Sequence, residues 1–206
     1  MKKKTVALLM AGVLAVGCVI GGTLAWLTST TDTVVNTFTV GDINLTLTEE
    51  GATQNGTTLT KDYKIIPGTT ADKKPVLTVE NTSEKCYVYA SVENTVKLNG
   101  AVVATPNIDS AIWVKVGENG DKAVYRYMGA KATDGVVDAA TAEQELEPVF
   151  TQVTYSDSIT KADIQTLANT TITINGYAHQ SEGDGMTMDA ADAAACMHFA
   201  VTAVAP

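Results

Sequence analysis

Short alternations of apolar and polar positions, cut by Gly, Pro and Asn, run along most of this chain. Ile43, Leu45 and Leu47 alternate with Asn44, Thr46 and Thr48, the two-residue period of a half-buried strand. Leu77 and Val79 alternate with Val76, Thr78 and Glu80 in the same way. The pattern is strongest from Cys86 onward. Cys86, Val88, Ala90 and Val92 fall on one face, and Tyr87, Tyr89 and Ser91 on the other. Ile112–Val116 and Ala123–Met128 flank Gly117–Asp121 and predict a hairpin. Thr33–Val40, Val149–Tyr155 and Thr171–Ala178 add three further strands. Gly41-Asp42, Pro67-Gly68 and Asn81–Lys85 read as turns, and Gly51–Thr60 and Ala71–Lys74 as loops. Three helical stretches are predicted: Ala139–Leu146 ahead of Pro148, a turn over Lys161–Leu167, and an Ala-rich Asp189–His198 with Asp189 as its N-cap.

About eight short strands with turn signals between them predict an all-β fold. The expected form is a jelly-roll-like β-sandwich with a few short helices, including the Ala-rich C-terminal one. Abundant Thr, with Val, Ile and Tyr, suits pleated, half-buried surfaces. No repeat of fixed period and no heptad pattern is visible.

The start of the chain follows another pattern. Lys2, Lys3 and Lys4 precede an apolar or small-residue run from Val6 to Leu27, which polar Thr28 to Asp32 end. Charge, apolar core and small residues in that order are what an export signal needs. Thr23 and Ala25 stand at the −3 and −1 spacing of a signal-peptidase site, so residues 1–25 are expected to be removed, leaving Trp26 first. Residues 26–206 are then a single β-sandwich domain that works outside the cytoplasm, secreted or associated with the cell surface. One alternative is a retained anchor, because the run is about 22 residues and about 20 span a bilayer. Another is lipidation of Cys18, against which the chain stays apolar beyond it. The final residues, AVTAVAP, carry no sortase-type sorting signal.

Three of the 14 basic residues and none of the 23 acidic ones lie in the first 25 residues, so the remainder carries a net charge of −12. That argues against nucleic acid and anionic membrane surfaces as partners. Two cysteines remain, Cys86 and Cys196. A single bridge between them and two independent buried thiols are both open.

Several blocks, taken in order, resemble a known family. Gly21-Gly22-Thr23-Leu24-Ala25-Trp26 resembles the site cut by SipW-type signal peptidases, which the resemblance implies as a processing partner. Asn36 to Leu45, with Phe38, Gly41 and Ile43, is similar to the block that follows the signal. Ile66-Pro67-Gly68, Val79 to Ser83 and Tyr87-Val88-Tyr89 resemble the family's Pro-Gly turn and following strands. The family is the TasA/camelysin-like group of Gram-positive exported proteins. The match covers residues 1–95 well, is weaker from 96 to 170, and fits loosely from Tyr177 on. It implies an extracellular biofilm-matrix protein that assembles into fibres with itself, and with related or accessory subunits. In fibre-forming members the segment after the cut pairs as a strand with the next subunit. Here Val34, Val35, Phe38 and Val40 would be that assembly strand. The alternative is that residues 33–40 pair within their own chain.

Candidate chemistry is sparse. Camelysin-type relatives imply a metallopeptidase as a rival reading, yet the chain has only two histidines, His179 and His198, and no HExxH. With Glu182, Asp184 or Asp189 they could form a site, but the spacing does not require one. Cys86 sits in an apolar strand, a poor place for a thiolate. Glu182 to Gly185 with Asp189 and Asp192 lacks EF-hand spacing. The sequence therefore predicts no catalytic residues, no metal and no cofactor. A third reading, a ligand-binding or adhesion module, would use Trp113, Tyr125 and Tyr127 as exposed aromatics.

Overall fold

The computed structural model describes residues 42–55, 58–60, 64–168 and 170–204. The principal strands are β1 (Leu45–Glu49), β2 (Pro75–Val79), β3 (Cys86–Asn94), β4 (Trp113–Asn119), β5 (Lys122–Tyr127), β6 (Gln152–Tyr155) and β7 (Ile172–Gln180). Among the described residues the helices are α1 (Asp163–Leu167) and α2 (Met188–His198). Among the described residues no helix is long and apolar enough to cross a membrane.

The fold is an all-β sandwich built on β3. Its alternation puts Val88, Ala90 and Val92 on one face and Tyr87 and Tyr89 on the other, as the sequence pattern predicts. Both faces are covered, which is why seven consecutive residues of β3 are buried. β7 pairs antiparallel along the whole of β3 on one side, from Ile172 opposite Asn94 to Gln180 opposite Cys86. β5 pairs on the other side, followed by β4 and the short strand Thr202–Ala203. A small hairpin, Ala132–Thr133 with Val136–Val137, extends the sheet beside the start of β3.

The second layer is a smaller sheet in the order β1, β2, Gln144–Glu145. Leu77 and Val79 of β2 pack into one cluster with Cys86, Val88, Ala90 and Val92 of β3, and with Trp113, Tyr127 and Phe150. Gly176 of β7 lets the two layers close: a Cβ there would lie 2.6 Å from Leu77 Cδ2 and 2.8 Å from Leu45 Cδ2. A third sheet joins Thr70–Asp72, β6 and Ala104–Pro106. On the opposite face of the large sheet, α2 covers Tyr87, Tyr89, Val116 and Val124.

Several local expectations change. Ala139–Leu146 is not a helix: it runs through bends into the short strand Gln144–Glu145. Both ends of the run are tied elsewhere, with Ala139 O accepting from Thr82 N and Leu146 N donating to Leu77 O. Those contacts outweigh helix propensities of a few tenths of a kcal/mol per residue. Gly51–Thr60 contains a hairpin, Thr53–Asn55 with Thr58–Thr60. Thr187, not Asp189, caps α2. Its backbone is extended (φ −120°, ψ 162°) and its Oγ1 accepts from Ala190 N at 3.2 Å. Asp189 sits in the first turn instead, where its charge suits the helix dipole. The strand expected over Thr33–Val40 lies outside the described residues.

Candidate functional site

The polar and aromatic side chains gather beneath and beside α2. Cross-strand register places Arg126 of β5 and Tyr177 of β7 on either side of Tyr89 of β3, so the three share one face. Asp192 descends from the middle of α2 onto this row. Tyr89 Oη donates to Asp192 Oδ1 at 2.8 Å, and Arg126 Nη1 pairs with Oδ2. Burial, then the hydrogen bond to the Asp192 carboxylate, pushes the Tyr89 phenol well above its ordinary range. Two polar atoms nearby are buried without a hydrogen-bond partner: Arg126 Nε and Ser91 Oγ.

His179 and His198 meet at Tyr177. The His198 ring stacks on Tyr177 with centroids 4.4 Å apart and planes 20° apart, and His179 lies 6.3 Å from the same ring. Phe199 closes the group, edge-on to both Tyr177 and His198. His179 Nδ1 is 2.9 Å from Gln180 O, an acceptor, so the neutral ring carries its proton on Nδ1. The sequence suggested Glu182, Asp184 or Asp189 as companions. Glu182 is instead paired with Lys85 at 3.0 Å, with Asp138 Oδ2 at 3.9 Å from the same ammonium. The hydrogen bond and charge of Glu182, then the charge of Asp138, raise Lys85 above its ordinary value. Among the described residues no three or more His, Cys, Asp or Glu side chains converge as a metal site would require.

The possible Cys86–Cys196 bridge is not made. Both thiols are free and buried, Cys86 in the sandwich core and Cys196 on the inner face of α2, so they lie on opposite sides of one sheet. Burial pushes Cys86 up to about 12, and burial with the nearby Asp192 charge raises Cys196. The exposed-aromatic reading also changes. Trp113 and Tyr127 are core residues, packed 5.1 Å apart, and Tyr125 is half-buried. Trp113 Nε1 donates to Pro148 O at 3.1 Å, and Tyr127 Oη donates to Glu147 while accepting from Lys131 N at 3.0 Å. These bonds anchor the loop after β5. They satisfy the polar ends of buried rings and leave no aromatic platform. Ala25, Trp26, Val34, Val35, Phe38 and Val40 lie outside the described residues.

Sequence periodicity could not reveal the Asp192 network, because its members come from three elements far apart in the chain. One signal was available: Arg126 stands in the interior of an otherwise apolar strand, where a charge needs a partner. As it stands, the Asp192 carboxylate is consumed by an arginine and a phenol, so the arrangement holds the helix to the sheet. Comparison with protein-family models, with characterised proteins and with solved structures finds no match for this chain.

Proposed function

We propose that this is a secreted, non-enzymatic matrix or cell-surface protein of jelly-roll type that assembles into fibres by donating its N-terminal strand. The observation that carries the reading is the open edge of β7. Among the described residues this nine-residue strand pairs with β3 on one side and with nothing on the other. An edge of that length is a template for one more strand.

Asp42 O accepts from Glu84 N and Ser181 N donates to Lys85 O, so Asp42 lies at the Gln180 end of β7. A segment 33–40 returning along its own β7 would have to run parallel to it. A segment donated to a neighbour's β7 is free to run antiparallel, the commoner and slightly more stable pairing. Val34, Val35, Phe38 and Val40 supply β-branched and aromatic side chains for such a strand. Head-to-tail donation of this kind does not close on itself, so it propagates.

The test compares residues 26–206 with residues 42–206 by electron microscopy, alongside a casein-hydrolysis assay with and without chelator. Fibres from 26–206, none from 42–206, and loss of fibres in V35K/F38D are the expected results. A 26–206 chain that stays monomeric across concentration and pH sinks the proposal, and chelator-sensitive hydrolysis would favour a peptidase.

A further inference from the structure

Across its middle α2 is attached to the sheet through a polar link, while Met188 at its start and His198 and Phe199 at its end make apolar and ring contacts. Its buried side chains are Ala191, Ala195 and Cys196, all small. Beneath them lie larger groups, Tyr87, Tyr89, Val116 and Val124. Small side chains make few dispersion contacts, so between Met188 and the His198–Phe199 end the apolar part of this seam is thin. The outer face adds nothing: Met197 is 83% exposed. Asp192 alone joins the middle of the helix to two strands, through Tyr89 and Arg126. With the Asp192 charge gone, the Arg126 guanidinium would be left uncompensated in a buried site.

The seam also carries polar groups that gain from water. Arg126 Nε and Ser91 Oγ are buried with no partner, a cost that opening to solvent relieves. Left-handed backbone flanks the helix on both sides. Gly183 (φ 131°) and Gly185 (φ 76°) precede it, and Ala200 (φ 55°) follows it. From Ala200 on, the chain is tied to β4 by the pairing of Thr202 and Ala203, by Val204 N donating to Val116 O, and by Asn119 Nδ2 donating to Ala200 O.

We propose that α2 is a hinged cover latched by Asp192, which opens as a unit while the sandwich beneath it stays folded. Opening uncovers Tyr87, Tyr89 and Tyr177, and it exposes Arg126 and Ser91 to water. The cover belongs to the low-stability end of the molecule, where local opening precedes global unfolding. It goes beyond self-assembly and does not depend on it, because among the described residues β7 pairs with β3 and not with α2.

Native-state hydrogen exchange on the full chain tests the latch, with D192N and M197A as variants. In the unaltered protein the amides of Ala191–Phe199 should exchange at least about tenfold faster than those of Val88–Val92, and with a weaker denaturant dependence. D192N should accelerate exchange in α2 by about a hundredfold while leaving β3 within about twofold. M197A, on the outer face, should change neither. Equal rates and equal denaturant dependence for α2 and β3 in the unaltered protein would overturn the proposal, even if D192N fails to fold. D192N exchange that is unchanged in α2, or raised equally in both elements, would overturn it as well.

Discussion

Cys86 shows how completely one position can be withdrawn from its own chemistry. Its side chain is fully buried in the core of the sandwich, and burial moves the thiol from 9.0 up to about 12. A thiolate is therefore scarce in the folded state at any ordinary pH, and the thiolate is the nucleophile. Alkylation at about pH 8 should leave Cys86 unlabelled in the native protein and label it fully in denaturant, read by intact mass. Labelling of Cys86 in the native state would contradict its burial. The sign of the linkage follows from the same shift. The folded state favours the neutral thiol, so the contribution of Cys86 to stability is whole below the unfolded value near 9 and declines as pH rises from there toward 12. Gly117 is bound to the second thiol by space: a Cβ there would lie 2.6 Å from Cys196 Sγ and 2.8 Å from Val201 Cγ2.

The strands were readable from residue types because their constraint is local and periodic. β3 appears in the alternation of Cys86 to Val92, and the β4–β5 hairpin in the turn residues Gly117 to Asp121. Ala139–Leu146 was not readable, because its extended form depends on β2 and on Thr82, which are remote in sequence. The cap of α2 illustrates a finer error. Thr187 and Asp189 are both good capping residues, and only the backbone of Thr187, extended ahead of the first turn, decides between them. Thr187→Ala should cost about 1 kcal/mol, measured by denaturant titration, whereas Asp189→Ala should cost a few tenths through the dipole alone. Equal losses would return the cap to Asp189. The Tyr177–His198 stack lay beyond sequence reading for the same reason as the Asp192 network. Its two rings sit on a strand and a helix whose approach is fixed only by the packed face between them.

At the scale of the whole chain, net charge opposes the association proposed at the β7 edge. Beyond residue 25 the net charge is −12, so copies repel at neutral pH. The Debye length shrinks from about 30 Å at 0.01 M salt to about 8 Å at 0.15 M. Fibre formation by residues 26–206 should therefore have a shorter lag and a lower critical concentration at about 0.15 M salt than at about 0.01 M, followed by light scattering. Salt independence would mean that the contacting surfaces carry little of the net charge.

The separation of the two thiols has a consequence for when the protein can fold. The middle layer of the molecule stands between Cys86 and Cys196, and neither sulfur takes part in a cross-link. Nothing in the packed sheets waits for an oxidant. A chain of this kind reaches its native state as readily in a reducing compartment as in an oxidising one. No change of redox conditions is therefore needed as a checkpoint for the folding of these sheets.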